Sequence, residues 1–486
     1  MEDLPSGDDI EKLAAARVLC VGDVMLDRFV YGEVSRVSPE APIPVCRVRE
    51  ENSMLGGAGN VVRNLAALGA DAIFITVIGD DDAGTEIEAL VSTQNGIDPA
   101  IFRQPNRRTT VKTRYVADGQ QLLRADHETD EEIPDDIAKS VIEGVAARLP
   151  GAGAVLLSDY GKGVLSISVT DAIIDMARDA GKPVVVDPKG FDYSRYRGAS
   201  LLTPNRRELS EASAMRTEGD AGIIAAARHV TESCGVDAIL ATRGPEGMTL
   251  VEADGGHDHL AANALEVYDV SGAGDTVAAA MSAALAVGMT PLDAARIANI
   301  AAGIVIAKTG TAVASLYEIA AWVAGQARSD AGTISVGLEE ALSRVASWRK
   351  QGDLIGFTNG CFDLIHPGHI SLLRQARAQC DRLIVGLNSD HSTSRLKGPD
   401  RPIQPEAARA TVLGAFETVD LVVIFDEDTP VNLIEAIRPD VLAKGADYSL
   451  DQVVGGDIVQ GYGGRVVLAE LTPGESTTGT ISRMEK

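Results

Sequence analysis

The stretch "DVSGAGDTV", residues 269–277, decides how the first half of this chain is read. Gly272, Ala273 and Gly274 carry little or no side chain and precede a long apolar run. They open a helix whose backbone N–H groups can approach phosphate oxygens where the helix dipole favours negative charge. Asp275 follows at once. A carboxylate is a poor ligand for phosphate, but as a general base it stands where a hydroxyl nucleophile must attack a terminal phosphate. A helix cap with an ordinary first-turn Asp is the structural alternative. The uncharged run from Thr276 to Leu292 approaches membrane-spanning length, yet Ala, Gly, Ser and Thr partition weakly into hydrocarbon, so it is read as a buried helix.

Around this helix, short β-branched runs alternate with Ala-rich helical stretches, the pattern of an α/β domain with a parallel sheet. "RVLCVGDVMLD", "DAIFITVIG", "GAVLLSDYG", "PVVVDPKG", "SLLTPN" and "DAILATRG" read as strands, each ending in polar or Gly residues. In open α/β sheets ligands bind at those carboxyl ends, so the polar ends should converge. Residues 29–50, "FVYGEVSRVSPEAPIPVCRVRE", read instead as short antiparallel strands forming a β-lid. Residues 321–337 have weak periodicity and are rich in Gly, Ser and Ala, as a linker is. After the amphipathic "LEEALSRVASWRKQG", a second α/β series runs through "LIGFTNG", "DRLIVGLNSD", "LVVIFDE" and "DVLAKGADY". The expected organisation is therefore a domain at 1–320, a linker at 321–337 and a smaller domain at 338–486.

The smaller domain has its own chemistry in "FTNGCFDLIHPGHI", residues 357–370, which sets His366 and His369 around a Pro-Gly pair between a strand and a helix. A metal pair, a helix cap and stabilisation of charge on a nucleotide's phosphates are all open to two such imidazoles.

Bulk properties narrow the choice. A chain of 486 residues exceeds one ordinary core. Its 70 acidic and 44 basic residues give a formal charge of −26, against long-range attraction to nucleic acid or an anionic membrane. The five cysteines are odd in number and lack zinc-site spacing, and the acidic N-terminus lacks a secretory pattern. A cytoplasmic protein with no prosthetic group is the expectation.

Four motifs in order then carry a resemblance. "GGAGNVVRNLAALG" (56–69), "TPNRRE", "ATRGPEG" and "DVSGAGDTV" resemble the signatures of the ribokinase-like sugar kinases, over roughly residues 10 to 320. The resemblance implies Asp275 as base and Gly272, Ala273 and Gly274 as anion hole. It implies that Asn205, Glu208, Thr242, Arg243, Gly244 and Gly247 hold ATP and its magnesium, Glu208 indirectly on the metal side. Asp27, Gly56, Gly57 and Asn60 would contact sugar hydroxyls. Lys189, Arg114 and Arg124 are candidates for a sugar phosphate.

"HPGH" after "NGCFD" resembles the HxGH signature of the Rossmann-like nucleotidyltransferases, and "ESTTGTI" (475–481) resembles their second signature. That family joins a nucleoside monophosphate to a phosphorylated acceptor and releases pyrophosphate. By this resemblance His366 and His369 are catalytic. Thr358, Asn359, Gly360, Phe362 and Asp363 would line the nucleotide site. Lys397 and Arg401 would supply positive charge, Lys444 (with Gly445 and Asp447) would end a strand at the same face, and Ser476, Thr477 and Thr478 would hold the outer phosphates.

Domain order, with "GDVMLDRFVYG" and "LSDYGKGVLS", makes the whole chain resemble the bifunctional heptose-7-phosphate kinase/heptose-1-phosphate adenylyltransferases of Gram-negative bacteria. The implied activities are ATP-dependent phosphorylation of D-glycero-β-D-manno-heptose 7-phosphate at carbon 1, and adenylyl transfer from ATP to the heptose 1-phosphate. The implied product is ADP-heptose for the lipopolysaccharide core; the implied cofactor is Mg2+ with ATP. Partners would be these small molecules and, through the lid, a second copy in a homodimer. Gly59 in place of Ala, and Gly479-Thr480 in place of Asn-Ile, depart from the family pattern. Alternatives are a fusion acting on another sugar phosphate or using CTP, and a non-catalytic sensor, which would usually have lost Asp275 or the histidines.

Overall fold

Val18, Leu19, Cys20 and Val21 are all fully buried, because a parallel strand covered by helices on both faces has no solvent side and shows no alternation. They form β1 (Arg17–Gly22), the middle of the first sheet. The other strands of the first unit are β2 (Val24–Val37), β3 (Pro44–Gly57), β4 (Asp71–Gly79), β5 (Ile97–Gln104), β6 (Val111–Ala117), β7 (Gln120–His127), β8 (Ala154–Ser158), β9 (Val184–Asp187), β10 (Leu201–Leu202), β11 (Ala238–Thr242), β12 (Met248–Glu252) and β13 (His257–Leu260). Nine of them form one sheet in the order β13-β12-β11-β10-β9-β8-β1-β4-β5, parallel except for the β11–β12–β13 end. Helices 58–67, 273–286 and 291–306 pack on one face, and helices 135–148, 167–179 and 219–234 on the other. The chain leaves β1 for β4 on one side and reaches β8 on the other, so a crevice opens at the carboxyl ends beside β1.

This computed structural model describes residues 5–117, 119–263, 269–308, 310–329, 335–445 and 452–470. It divides into two units, Met1–Ala324 and Gly325–Lys486.

Several elements differ from the sequence reading. "RVLCVGDVMLD" is two strands, split at Asp23, with β2 leaving the main sheet for the lid. The lid is larger than residues 29–50: β2 and β3 span 14 residues each, and β6 and β7 complete a sheet in the order β3-β2-β6-β7. Parallel pairing of β2 with β6 recruits a strand too distant in sequence for local alternation to reveal. The run 276–292 is also not one helix. It ends at Ala286, and the Thr290 side chain caps a new helix at Asp293 N with Pro291 in its first turn. Finally, helix Leu316–Ser329 extends through residues 321–329 of the stretch read as linker, since Ala-rich sequence propagates a helix without a strong apolar stripe.

The second unit is an all-parallel sheet built from β14 (Ser335–Val336), β15 (Ile355–Gly360), β16 (Arg382–Asn388), β17 (Leu421–Phe425), β18 (Val441–Gly445) and β19 (Arg465–Ala469). Its order, β14-β17-β16-β15-β18-β19, reverses direction at β15, whose carboxyl end meets helix Pro367–Arg377. Both units are thus α/β, as the sequence implies.

One buried side chain secures the crevice of the first unit. Asp23 accepts from the backbone N–H groups of Tyr160 and Lys162 at Oδ2 and of Val164 at Oδ1, each at 3.0 Å. The segment after β8 is thereby tied to the start of the lid. Asp23→Ala leaves three N–H groups without this acceptor, and with about 1–3 kcal/mol for each buried unsatisfied group we expect a loss of at least about 2 kcal/mol in the first unit's unfolding free energy, measured by urea denaturation. A loss under about 0.5 kcal/mol would remove Asp23 from this role.

Candidate active site

Helix Ala273–Ala286 begins at Gly272, whose φ of 80° lies in the left-handed region, and a Cβ there would sit 2.8 Å from Asn60 Nδ2. Glycine is required on both counts. At Gly274 a Cβ would meet nothing within 4 Å, so this helix start faces open space. Asp275 is buried in the first turn. Its Oδ2 accepts from Asn60 Nδ2 at 2.7 Å and its Oδ1 from the Tyr160 hydroxyl at 2.5 Å. Burial pushes its pKa up to about 6, against the Asn60 and Tyr160 hydrogen bonds, which pull it down. The group is ionised near neutrality yet basic enough to take a proton.

Asp275 borders a cavity of about 190 Å3 whose walls include Asn205, Glu208, Lys189, Asp187 and Asp159. Asn205 and Glu208 hold each other in a capping box: Asn205 Oδ1 accepts from Glu208 N and Glu208 Oε2 from Asn205 N, both at 3.0 Å. This fixes the Glu208 carboxylate at the cavity. A second cavity of about 250 Å3, lined by Gly244, Gly247, Val270, Val277, Asn299 and Ile306 among others, adjoins the first through Thr242 and Gly274. A polar chamber beside an apolar slot suits a polyphosphate joined to a flat base.

The sequence-predicted residues divide in this setting. Asn205, Glu208, Thr242, Gly244, Gly247, Gly272, Ala273, Gly274 and Asp275 all line these two cavities. Arg243 does not: its buried guanidinium pairs with Asp220 at 2.7 Å and Glu246 at 2.5 Å, which holds the loop. Asn60, read as a sugar contact, donates its amide to Asp275 Oδ2 and accepts at Oδ1 from Arg63 at 3.2 Å, so it also positions Asp275. Lys189, read as a sugar contact, stands 3.6 Å from Glu208 on the phosphate-chamber wall. Asp27 is buried on β2 and paired with Arg114. A Cβ at Gly56 would lie 2.2 Å from Asp27 Oδ2, so the glycine makes room for that carboxylate, and Gly57 turns with φ 58° into helix Ala58–Ala67.

The sequence reading missed Tyr160 and Asp187. Asp187 ends β9 and Tyr160 follows the end of β8 by two residues, both in stretches whose polar carboxyl ends it had marked, and that was the available signal. Burial, with the charges of Asp275 and Glu208, holds Asp187 well above the usual carboxylate range. Such a cluster of acids is relieved by a hard cation carried on phosphates. Among the described residues no preformed group of metal ligands is present.

In the second unit, β15 ends in Thr358, Asn359 and Gly360, and Lys444 Nζ at the end of β18 donates to Asn359 O at 2.9 Å. His366 is the N-cap of helix Pro367–Arg377, and its N–H donates to His369 Nδ1 at 3.3 Å. That bond assigns the proton of a neutral His369 to Nε2. The rings lie 3.9 Å apart, and Phe362, at φ 43°, is 5.1 Å from His369. Burial, then the nearby His366 and Lys397, pushes His369 down to about 4, so it is a neutral donor near pH 7 and not the cation a charge-pairing role would need. Part of the capping alternative is therefore present: His369 caps the helix and is oriented by doing so.

Asp363 is buried, with the Arg401 guanidinium and the N–H groups of Ile403 and Gln404 donating to it. Arg401 is thereby engaged in holding the 401–404 loop, while Lys397 ends helix Asp390–Lys397 exposed. Arg409, fully buried, donates to the carbonyls of Cys361, Asn388 and Gln404 and to Asp390. It fastens the turns after β15 and β16 together. Asp447, Ser476, Thr477, Thr478, Gly479 and Thr480 lie outside the described residues.

Comparison with known proteins agrees with this division. Residues 15–317 match the pfkB family of carbohydrate kinases, and residues 357–473 match the cytidylyltransferase-like family. The chain is 55% identical to the bifunctional protein HldE of Paramagnetospirillum magneticum, over 98% of this chain and 97% of that one. It is 56% identical to the bifunctional protein HldE of Rhodospirillum rubrum, over 98% and 96% respectively. Among solved structures, phosphofructokinase-2 from Escherichia coli superposes with a TM-score of 0.55 at 21% identity, covering 64% of this chain and 99% of that one, a likeness of fold.

The geometry around Asp275 sets a pH dependence. The acid limb of the phosphotransfer kcat/KM profile is expected at pH about 6, where Asp275 must lose its proton. Tyr160→Phe removes a donor to the ionised form, so the limb moves to higher pH. Full pH-rate profiles of both proteins check this, and an unmoved limb would separate the titration from Asp275.

Proposed function

The chain belongs to the pfkB carbohydrate kinases through its first domain and, over nearly its whole length, to the family of bifunctional proteins HldE, and from that premise we propose how its two sites divide the work. It is a bifunctional enzyme of ADP-heptose synthesis, a sugar-phosphate kinase followed by a nucleotidyltransferase. The kinase domain phosphorylates D-glycero-β-D-manno-heptose 7-phosphate at carbon 1 with ATP, and the second domain transfers an adenylyl group from ATP to the heptose 1-phosphate, releasing pyrophosphate. The observation that carries the kinase assignment is Asp275, a buried carboxylate with raised pKa at a glycine-opened helix start beside the double cavity.

In the kinase, the adenine occupies the apolar slot and the triphosphate the polar chamber. The sugar's C1 hydroxyl gives its proton to Asp275 as its oxygen bonds to the γ-phosphorus, and the bond from that phosphorus to the β,γ-bridging oxygen breaks to release ADP. The N–H groups at Gly272, Ala273 and Gly274 stabilise the charge on the transferred group. Lys189 neutralises phosphate charge, and Glu208 with Asp187 would hold the magnesium that ATP carries, which supplies further neutralisation. In the transferase, a phosphate oxygen of the acceptor attacks the α-phosphorus directly, with no covalent enzyme intermediate. His369 donates from Nε2 to the oxygens there, and His366 completes the helix start that faces them. Thr358, Asn359, Phe362 and Lys444 shape the nucleotide site, Lys397 adds charge, and Ser476, Thr477 and Thr478 hold the outer phosphates. No helix among the described residues is long and apolar enough to cross a membrane; a cytoplasmic enzyme acting on small phosphorylated substrates fits five cysteines that are all free.

Separate assays of the two reactions test this. Asp275→Asn is expected to lower sugar phosphorylation about 10²- to 10⁴-fold and leave adenylyl transfer near wild type. His369→Ala is expected to cost adenylyl transfer about 10²- to 10³-fold, mainly in kcat, with phosphorylation intact. Loss of both activities in either folded variant would refute the two-site assignment, and CTP serving better than ATP in the second reaction would change the nucleotide.

The lid adds a proposal about assembly. Its edge strands, β3 and β7, carry exposed apolar side chains, with Val48 at 52%, Leu122 at 44% and Leu123 at 58% exposure, and unpaired edges of this kind pair with another chain. A homodimer through the lid follows. Light scattering is expected to give a dimer for the wild type and a monomer for Leu123→Glu; a monomeric wild type would overturn it.

A further inference from the structure

The strand register of the lid places its charges in rows. Asp27 on β2 lies beside Lys112 on β6, and Lys112 beside Asp126 on β7. Side chains that are register partners share a face, so all three project to the same side as Arg114 and Arg124, two residues along. The carboxylates that flank Lys112 are engaged elsewhere: Asp27 pairs with Arg114 at 2.5 Å and Asp126 with Arg124 at 3.0 Å. Lys189 stands by Glu208, and Lys162 by Glu128 and Asp130. Arg63 donates to Asn60 and to the Thr311 carbonyl. Lys112 differs from its neighbours, because among the described residues no carboxylate lies within ion-pair distance of its ammonium. That ammonium sits 5.8 Å over the ring of Tyr160, the residue whose hydroxyl holds Asp275 at 2.5 Å.

Asp275 lies near enough for its charge and that of Lys112 to act on each other, but a half-buried cation with no carboxylate at ion-pair distance is costly unless a ligand supplies the missing contact. The position is on the lid, next to Asp27 and one aromatic ring away from the catalytic base. Tyr160, Lys189 and Glu208 are walls of the polar chamber assigned to the nucleotide, and Lys112 is not among them. We propose that Lys112 binds the phosphate already present on the sugar substrate and makes the kinase selective for a phosphorylated sugar. The three basic residues marked from sequence are poorer choices, since Arg114, Arg124 and Lys189 each have a carboxylate partner. This inference rests on the kinase reading and deepens it.

The test compares wild type, Lys112→Met and Lys112→Arg as full-length proteins with heptose 7-phosphate and with unphosphorylated heptose. Losing one charge-assisted contact to a phosphate is expected to raise KM for heptose 7-phosphate about 10- to 100-fold in Lys112→Met. The change in kcat and in KM for ATP is expected to stay within about 3-fold, and Lys112→Arg to recover most of the loss. Unphosphorylated heptose, measured as a substrate or by its binding constant, is expected to distinguish wild type from Lys112→Met by less than about 3-fold. An unchanged KM for heptose 7-phosphate in Lys112→Met would overturn the proposal. So would an equal loss with both sugars, which would place Lys112 at the transferred phosphoryl group. A wild type that phosphorylates neither sugar would sink the kinase reading first, and this inference with it.

Discussion

The kinase half is organised around one carboxylate that must be buried and still ionise. Burial of Asp275 raises its pKa, and hydrogen bonds to its charged form keep it ionised near neutrality. Two donors from opposite sides meet that need, the Asn60 amide and the Tyr160 hydroxyl. Each is in turn held by its own support. Asn60 stands in helix Ala58–Ala67, entered through the positive-φ Gly57, and Tyr160 lies on the segment that Asp23 anchors by three backbone hydrogen bonds. The support of this carboxylate thus reaches back to the split between β1 and β2, where the chain leaves the main sheet to build the lid.

The transferase half meets a related electrostatic demand without a carboxylate. A helix start supplies a favourable dipole for an anion, and His369, kept neutral by burial, adds a donor whose direction is set by the bond from His366 N–H. Rigidity comes from buried charges used as fasteners. Arg409 draws three carbonyls from separate loops to one guanidinium, and Asp363 does the converse with N–H donors. Breaking such a centre would leave several backbone groups without their partners at once.

Local sequence determined a large part of this. The alternation of β-branched runs with Ala-rich stretches implies two α/β series because parallel strands buried on both faces must be continuously apolar, as Val18–Val21 are. The glycine-rich helix start, the capping pair Asn205 and Glu208, and the two histidines are legible for a similar reason: each acts through contacts within four residues, and a short motif carries its own geometry. What the tertiary structure alone decided is which distant residues share a site. Asn60 and Tyr160 lie 215 and 115 positions from Asp275, β6 joins β2 through a parallel pairing that no local pattern marks, and Arg243 meets Asp220 from another element while Lys112 stands over the ring of the distant Tyr160. A side chain's spacing in sequence states what it can do, whereas the charges that fold up against it decide whether it is already engaged.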